Sequence, residues 1–260
     1  NGSGTAEDAI SDLCLFGSIN FRGKVKKFGI KTDDRRRHMY IVGKTGMGKS
    51  TLMENMVLQD IYNGQGVGVV DPHGDFAEKI INFIPEERID DVVYFNPADK
   101  AYPIGLNILE VLNEDQRHLV VGGLMATFKK IWPDVWSARM EYILANTLSS
   151  LVEVPGTSLM GINRMYADKN YRKSIISQMK DPMVKRFWFD EYDKWEPRYQ
   201  KEAVAPVQNK VGQFLSTSVI RNMVAQEKSG FDIRQAMDNK KILIVNLSKG
   251  RLGEDNSSLL

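Results

Sequence analysis

A single cysteine among 260 residues, Cys14, leaves no partner for an intrachain disulfide and points to a reducing compartment, so the cytoplasm is the expected location. Histidine is nearly as scarce. His38, His73 and His118 are too scattered for the usual metal-ligand spacings, so no His/Cys metal cluster is expected. No run of about 18 uncharged apolar residues occurs, and the N-terminal stretch lacks the basic, apolar and small-residue order of a secretory signal. No membrane segment is therefore expected in this chain. Charge of one sign is also lacking, because 35 basic side chains face 33 acidic ones for a net charge of +2. That balance is far from the overall basicity that would by itself mark a nucleic-acid binder.

What is present is enough apolar material, 42% of the residues, to bury the core of one large domain or of one domain carrying an insertion. Met39-Tyr40-Ile41-Val42 reads as a short strand that ends at Gly43. Helical spacing follows, with Met53, Val57 and Ile61 on one face, and Asn63-Gly64-Gln65-Gly66 stops that helix. Val67 to Val70 is a second β-branched run, closed by Asp71-Pro72-His73-Gly74, which completes a βαβ unit. A helix over 76–83 and a strand over 91–96 continue the alternation. The fold class expected is α/β, a doubly wound and mostly parallel sheet.

Between about 113 and 226 the pattern changes to apolar residues at helical intervals, with Met140, Ile143, Leu144, Thr147, Leu148 and Leu151 the clearest series. This block is expected to be an all-α insertion. Strand character returns at Lys241 to Leu247. The expected organisation is an N-terminal segment 1–27, a first part of the core 28–112, the insertion 113–226, and a return to the core over 227–260. The opening Asn-Gly-Ser-Gly and the closing Ser258-Leu259-Leu260 read as the ends of a fragment.

Gly43-Lys44-Thr45-Gly46-Met47-Gly48-Lys49-Ser50 fits GxxxxGKS, the Walker A pattern, placed between a predicted strand and a predicted helix. Glycines let the backbone turn its amides inward, and the helix that starts near Gly48 adds the positive end of its dipole. A polyphosphate such as ATP is the ligand this chemistry takes. Lys49 is expected to bridge the β and γ phosphates, the Ser50 hydroxyl to coordinate Mg2+, and Thr51 to support the loop. Asp71, at the end of the next strand, reads as a Mg2+ ligand or catalytic acid, with Asp75 a nearby acid able to polarise water. Asp71-Pro72-His73-Gly74 is also the composition of a plain turn, but strand ends in such sheets line the nucleotide crevice, which favours a functional role.

HMYIVGKTGMGKSTL, GVVDPHGD, YFNPAD, PIGLN, WSARMEYIL, NKVGQFL and KILIVNLSKGRLGE resemble the TraD/TraG-like coupling proteins of type IV secretion, within the HerA/FtsK superfamily. The resemblance runs from about residue 28 to the end. It implies a RecA-like motor with an all-α insertion, a homo-hexamer that spends ATP to thread DNA through a pore, and secretion-channel proteins as partners. It also implies a parent protein at the cytoplasmic face of the inner membrane. Motors of this branch hold their metal with an acid on a later strand, so Asp71 takes a secondary catalytic role on this resemblance. The strand ending in an Asp-Glu pair is expected beyond Leu260, because Ile242 to Leu247 ends in Asn246. Two other readings stay open: a secretion or pilus-assembly ATPase acting on protein, and a nucleotide-binding recruitment scaffold that hydrolyses nothing.

Other features carry less. Arg35, Arg36, Arg37, Arg139 and Arg221 are candidates by type for an arginine that reaches a neighbour's γ-phosphate. The aromatics between Phe187 and Tyr199 offer stacking to single-stranded DNA, but their helical spacing favours a packed face. The basic loop Lys249-Gly250-Arg251 reads either as a crevice-facing loop or as a plain connection.

Overall fold

The computed structural model describes residues 13–99, 101–111 and 113–248. Its core sheet has three parallel strands in the order β3-β5-β4, with β3 at Val67–Asp71, β4 at Val92–Phe95 and β5 at Ile242–Asn246. Val67 pairs with Ile242 and Asp71 with Asn246, while Val92 pairs with Ile242 on the other side. The middle place of β5 explains why Ile242 and Ile244 lose all solvent exposure. They pack with Ile61, Val69, Ala77 and Ile80 into one apolar cluster. Each isoleucine and valine of the cluster contributes about 1.5–3 kcal/mol by leaving water.

Four described α-helices belong to the same unit: α1 at Thr32–Arg35, α2 at Lys49–Tyr62, α3 at Asp75–Ile81 and a short one at Ile233–Asp238 that precedes β5. Helix α2 buries Ile61 into the cluster, and α3 buries Ala77 and Ile80, so both cover the sheet with a narrow apolar stripe. Arg88 fastens the far end of the layer: its guanidinium donates to the Ile61 carbonyl at 2.9 Å, the Lys240 carbonyl at 2.8 Å and Asp91 at 2.8 Å.

Two features depart from the sequence reading. The expected strand Met39–Val42 does not form: it has no ladder partner among the described residues, and Tyr40 and Val42 are 91% and 76% exposed. A strand is completed by hydrogen bonds to a neighbour, and apolar content alone cannot supply one. Conversely, an antiparallel hairpin precedes it, with β1 at Leu13–Phe21 and β2 at Lys24–Lys31. Its turn is Arg22-Gly23, both at positive φ (53° and 74°), the backbone that two-residue hairpin turns require.

The chain divides into two compact units, one of residues 13–95 with 232–248 and one of 96–231. The described residues of the second unit contain helices and turns and no strand. Its central helix, Ala138–Glu153, buries Ile143, Leu144, Leu148 and Leu151 completely, the spacing of one helical face. Phe187, Trp188 and Tyr192 are 2%, 0% and 2% exposed and meet one another at ring distances of 4.9–6.3 Å. The Trp188 indole donates to Ser150 Oγ at 2.8 Å, so the aromatic series is packing, not a stacking platform. Asn107 staples a loop in the same unit, donating to the carbonyls of Thr157 and Glu227 at 2.8 and 2.9 Å.

Candidate nucleotide site

The loop from Gly43 to Gly48 leads directly into α2. Gly46 and Gly48 sit at φ 80° and 85°, in the left-handed region that a side chain disfavours. A Cβ at either position would meet no atom within 4 Å, so the demand for glycine is conformational rather than steric. Met47 spends its amide on the Lys44 carbonyl at 3.3 Å. The amides of Gly46, Gly48 and Lys49 have no acceptor among the described residues. Helix α2 has no side-chain cap and no acid in its first turn, so its positive end is left uncompensated. Lys49 Nζ folds back to donate to the carbonyls of Gly43 at 2.7 Å and Lys44 at 3.0 Å, which holds an ammonium over the loop. A row of amides, a helix N-terminus and a cation in one place suit a phosphate chain.

Asp71 ends β3 with only 5% exposure. One carboxylate oxygen accepts the His73 amide at 2.9 Å and the other the Ala77 amide at 3.0 Å. Ala77 is the third residue of α3, whose N-cap is Gly74, a residue with no side chain to offer. Asp71 thus supplies the cap from outside the helix. Gly74 has to be glycine on two grounds. Its φ is 95°, and a Cβ there would come within 2.9 Å of Asn246 Oδ1 and of Ser248 Cβ. The carboxylate therefore does what the turn composition implied, and each oxygen still keeps a lone pair for a second partner.

Ser50, Asp71, His73 and Asp75 line one cavity of about 820 Å³. Glu54 and Lys79 form an ion pair across its wall. Of the loop residues Gly43 to Thr51, Ser50 alone is among those walls, so the phosphate loop and the acids border the same cavity. A hydroxyl with two carboxylates is an all-oxygen donor set, which fits a hard cation such as Mg2+.

Two residues escaped sequence reasoning as parts of this region. Asn246, fully buried beside Asp71 in the ladder, donates to the Tyr94 hydroxyl at 2.9 Å and accepts the Ser248 amide at 3.2 Å. Its signal was a polar residue at the end of an apolar strand. The Ser248 hydroxyl is buried with no partner among the described residues.

The candidate arginines mostly have local partners. Arg35 forms a two-pronged pair with Asp60 at 2.6 and 2.5 Å, and that bond pushes its guanidinium further up in pKa. Arg221 bonds the carbonyls of Leu215 and Ser216, and Arg139 lies over the Tyr199 ring at 5.3 Å. The basic loop at Lys249-Gly250-Arg251 lies outside the described residues.

A family model described as the central domain of helicase HerA matches residues 22–257. Solved structures that share the fold include two of coupling proteins. The bacterial conjugative coupling protein TrwBdeltaN70 in its unbound form superposes with a TM-score of 0.51 at 16% identity, over 89% of this chain and 51% of that one. The plasmid coupling protein TrwB in complex with ADP and Mg2+ gives 0.50 at 17% identity, over 89% and 52%. The chain thus spans about half the length of these relatives. No curated protein matches it.

Proposed function

Because the chain belongs to the family of the helicase HerA central domain, we propose that it is the ATP-binding motor domain of a DNA-translocating coupling ATPase of type IV secretion and conjugation. The observation that carries this reading is the loop Gly43–Ser50, with two glycines at positive φ, amides without acceptors and Lys49 folded over them. TrwB, similar in fold, has been captured with ADP and Mg2+. The motor core in this reading is 28–112 with 227–260, and 113–226 is a helical insertion.

In this reading Mg2+, bound with ATP, neutralises charge on the β and γ phosphates. The chain does the rest. Amides of the loop Gly43 to Thr51, those of Gly46, Gly48 and Lys49 first among them, would hold the phosphates, and the Lys49 ammonium would exchange two loop carbonyls for phosphate oxygens. Ser50 offers its hydroxyl to the cation. Asp71 keeps the α3 turn in place and presents its remaining lone pairs to the same cation, while Asp75 orients water. Assembly as a homo-hexamer on DNA, with secretion-channel partners at the cytoplasmic side, follows from the same reading.

Calorimetry with MgATP tests the binding step. Lys49→Ala removes two charge-assisted bonds, about 2–4 kcal/mol, so affinity is expected to fall roughly 30- to 900-fold. The melting curve should stay in place, because the lost contacts are exposed. Unchanged affinity would refute the site. Hydrolysis measured with and without single-stranded DNA tests the motor step, and a rate indifferent to DNA speaks for a protein-secretion ATPase instead.

A further inference from the structure

The β1–β2 hairpin plays no part in the nucleotide site, yet it is the most unusual surface of its unit. Every residue from Ser18 to Phe28 is exposed. From Leu13 to Lys31 the chain carries Arg22, Lys24, Lys26, Lys27 and Lys31 and not one acid. None of these five has an ion-pair partner among the described residues. Large apolar side chains stand between them: Phe21 is 66% exposed, Val25 67% and Ile19 53%. The register puts Phe21 opposite Lys24 and Ile19 opposite Lys26 on one face, with Lys27 opposite Ser18 on the other. The Arg22 guanidinium lies 5.1 Å from the Phe21 ring at the tip.

A lone two-stranded hairpin is marginal in water, so a projecting one needs an anchor. Two are present. Gln59 of α2 grips the Leu15 backbone from both sides, accepting its amide at 2.8 Å and donating to its carbonyl at 2.5 Å. One residue on, Asp60 holds Arg35, which follows β2. From the anchored Leu15 to Phe21 at the tip the strand reaches about 20 Å, at roughly 3.4 Å per residue. Lysines on a strand also guard an edge against aggregation, but a guard leaves exposed Phe21 and Val25 unexplained.

We propose that the exposed half of this hairpin binds single-stranded DNA. Interleaved cations and an aromatic on one face suit a strand whose phosphates need charge and whose bases need a stacking partner. An anionic membrane fits less well, because the tip is Arg22-Gly23 and insertion would bury charge first. The identity of the polyanion rests on the DNA-motor reading. The contact also has a structural corollary: the hairpin is fastened at Gln59, ten residues along the helix that starts at Lys49, so phosphate loop and hairpin share one rigid rod about 15 Å apart.

Anisotropy of a fluorescein-labelled oligothymidylate against the full chain tests this. Three cations on that face and at the tip (Arg22, Lys24, Lys26) give a log-log salt slope of about −2.1, so affinity should drop roughly 18-fold between 50 and 200 mM salt. Replacing all three by alanine should flatten that slope and weaken binding at low salt. Alanines at Lys169, Lys173 and Lys201 should leave it unchanged. Phe21→Ala should cost about tenfold with the slope intact, the mark of stacking rather than charge. Thermal melts and MgATP calorimetry on each variant confirm that fold and nucleotide site persist. DNA binding that ignores the hairpin variants overturns this proposal and leaves the motor reading standing. No DNA binding at all overturns both. Hairpin-dependent binding to phosphatidylserine vesicles without binding to the oligonucleotide assigns the surface to a membrane and overturns the DNA contact.

Discussion

Asp71→Asn separates the two jobs that the Asp71 carboxylate can hold. In the native protein its oxygens accept two main-chain amides, His73 at 2.9 Å and Ala77 at 3.0 Å, at 5% exposure. An asparagine keeps one acceptor and turns an NH2 group toward the other amide. One charge-assisted bond is lost and a buried N–H is left facing a donor, which together cost about 2–3 kcal/mol. For a chain of this size each kcal/mol lowers the melting temperature by about 2–4 °C, so the variant should melt roughly 5–10 °C lower. Asp71→Ala removes both acceptors and should melt lower still. Both effects are read without nucleotide at neutral pH, by circular dichroism. MgATP affinity should change little in the asparagine variant, since the loop Gly43–Ser50 is untouched, whereas hydrolysis should fall if the second lone pairs serve the cation. A melt within about 1 °C of the native protein would refute the capping argument, because the lost bonds would then have been worth nothing.

Two further outcomes follow from packing and charge. Trp188→Phe deletes the indole bond to Ser150 Oγ at a fully buried site, so the unfolding temperature should drop by about 4–8 °C for a loss near 2 kcal/mol; an unchanged differential scanning trace would show that the bond is dispensable. The Asp91 carboxyl is held below the ordinary carboxylate range, chiefly by its bond from Lys241 and next by that from Arg88. A depressed folded value means its stabilisation is present above the unfolded pKa of about 3.9 and is lost as pH falls through the folded value. Native and Asp91→Asn proteins should therefore differ in melting temperature at about pH 6, and the difference should shrink as pH falls through the folded value of Asp91; a difference undiminished in strong acid would contradict the pairing.

Much of the site was legible from residues close in sequence. The Walker A loop is a local object: glycines at Gly46 and Gly48 and a helix start at Lys49 are written within a few residues, and the folded loop has that form. Strands β3, β4 and β5 also stood out, because short β-branched runs between turn residues need no distant information to be seen. The helices of the second unit followed from a period of about 3.6. The aromatic series from Phe187 was read correctly as a packed face for the same reason.

What the chain could not state locally is who pairs with whom. Met39–Val42 has the composition of a strand and remains unpaired, since ladder partners come from elsewhere in the fold. The hairpin was missed because Lys24, Lys26 and Lys27 mask its alternation, and its anchor, Gln59, lies far along the chain. Tertiary structure alone set β5 between β3 and β4, which brings Asn246 beside Asp71 and makes glycine obligatory at Gly74. The same packing decided that Asp71 spends its carboxylate on the amides of His73, in the turn, and Ala77, in α3, before any cation is considered. Local sequence specifies conformations whose hydrogen bonds close within a turn or two; every bond that spans the fold waits for burial to choose its partner.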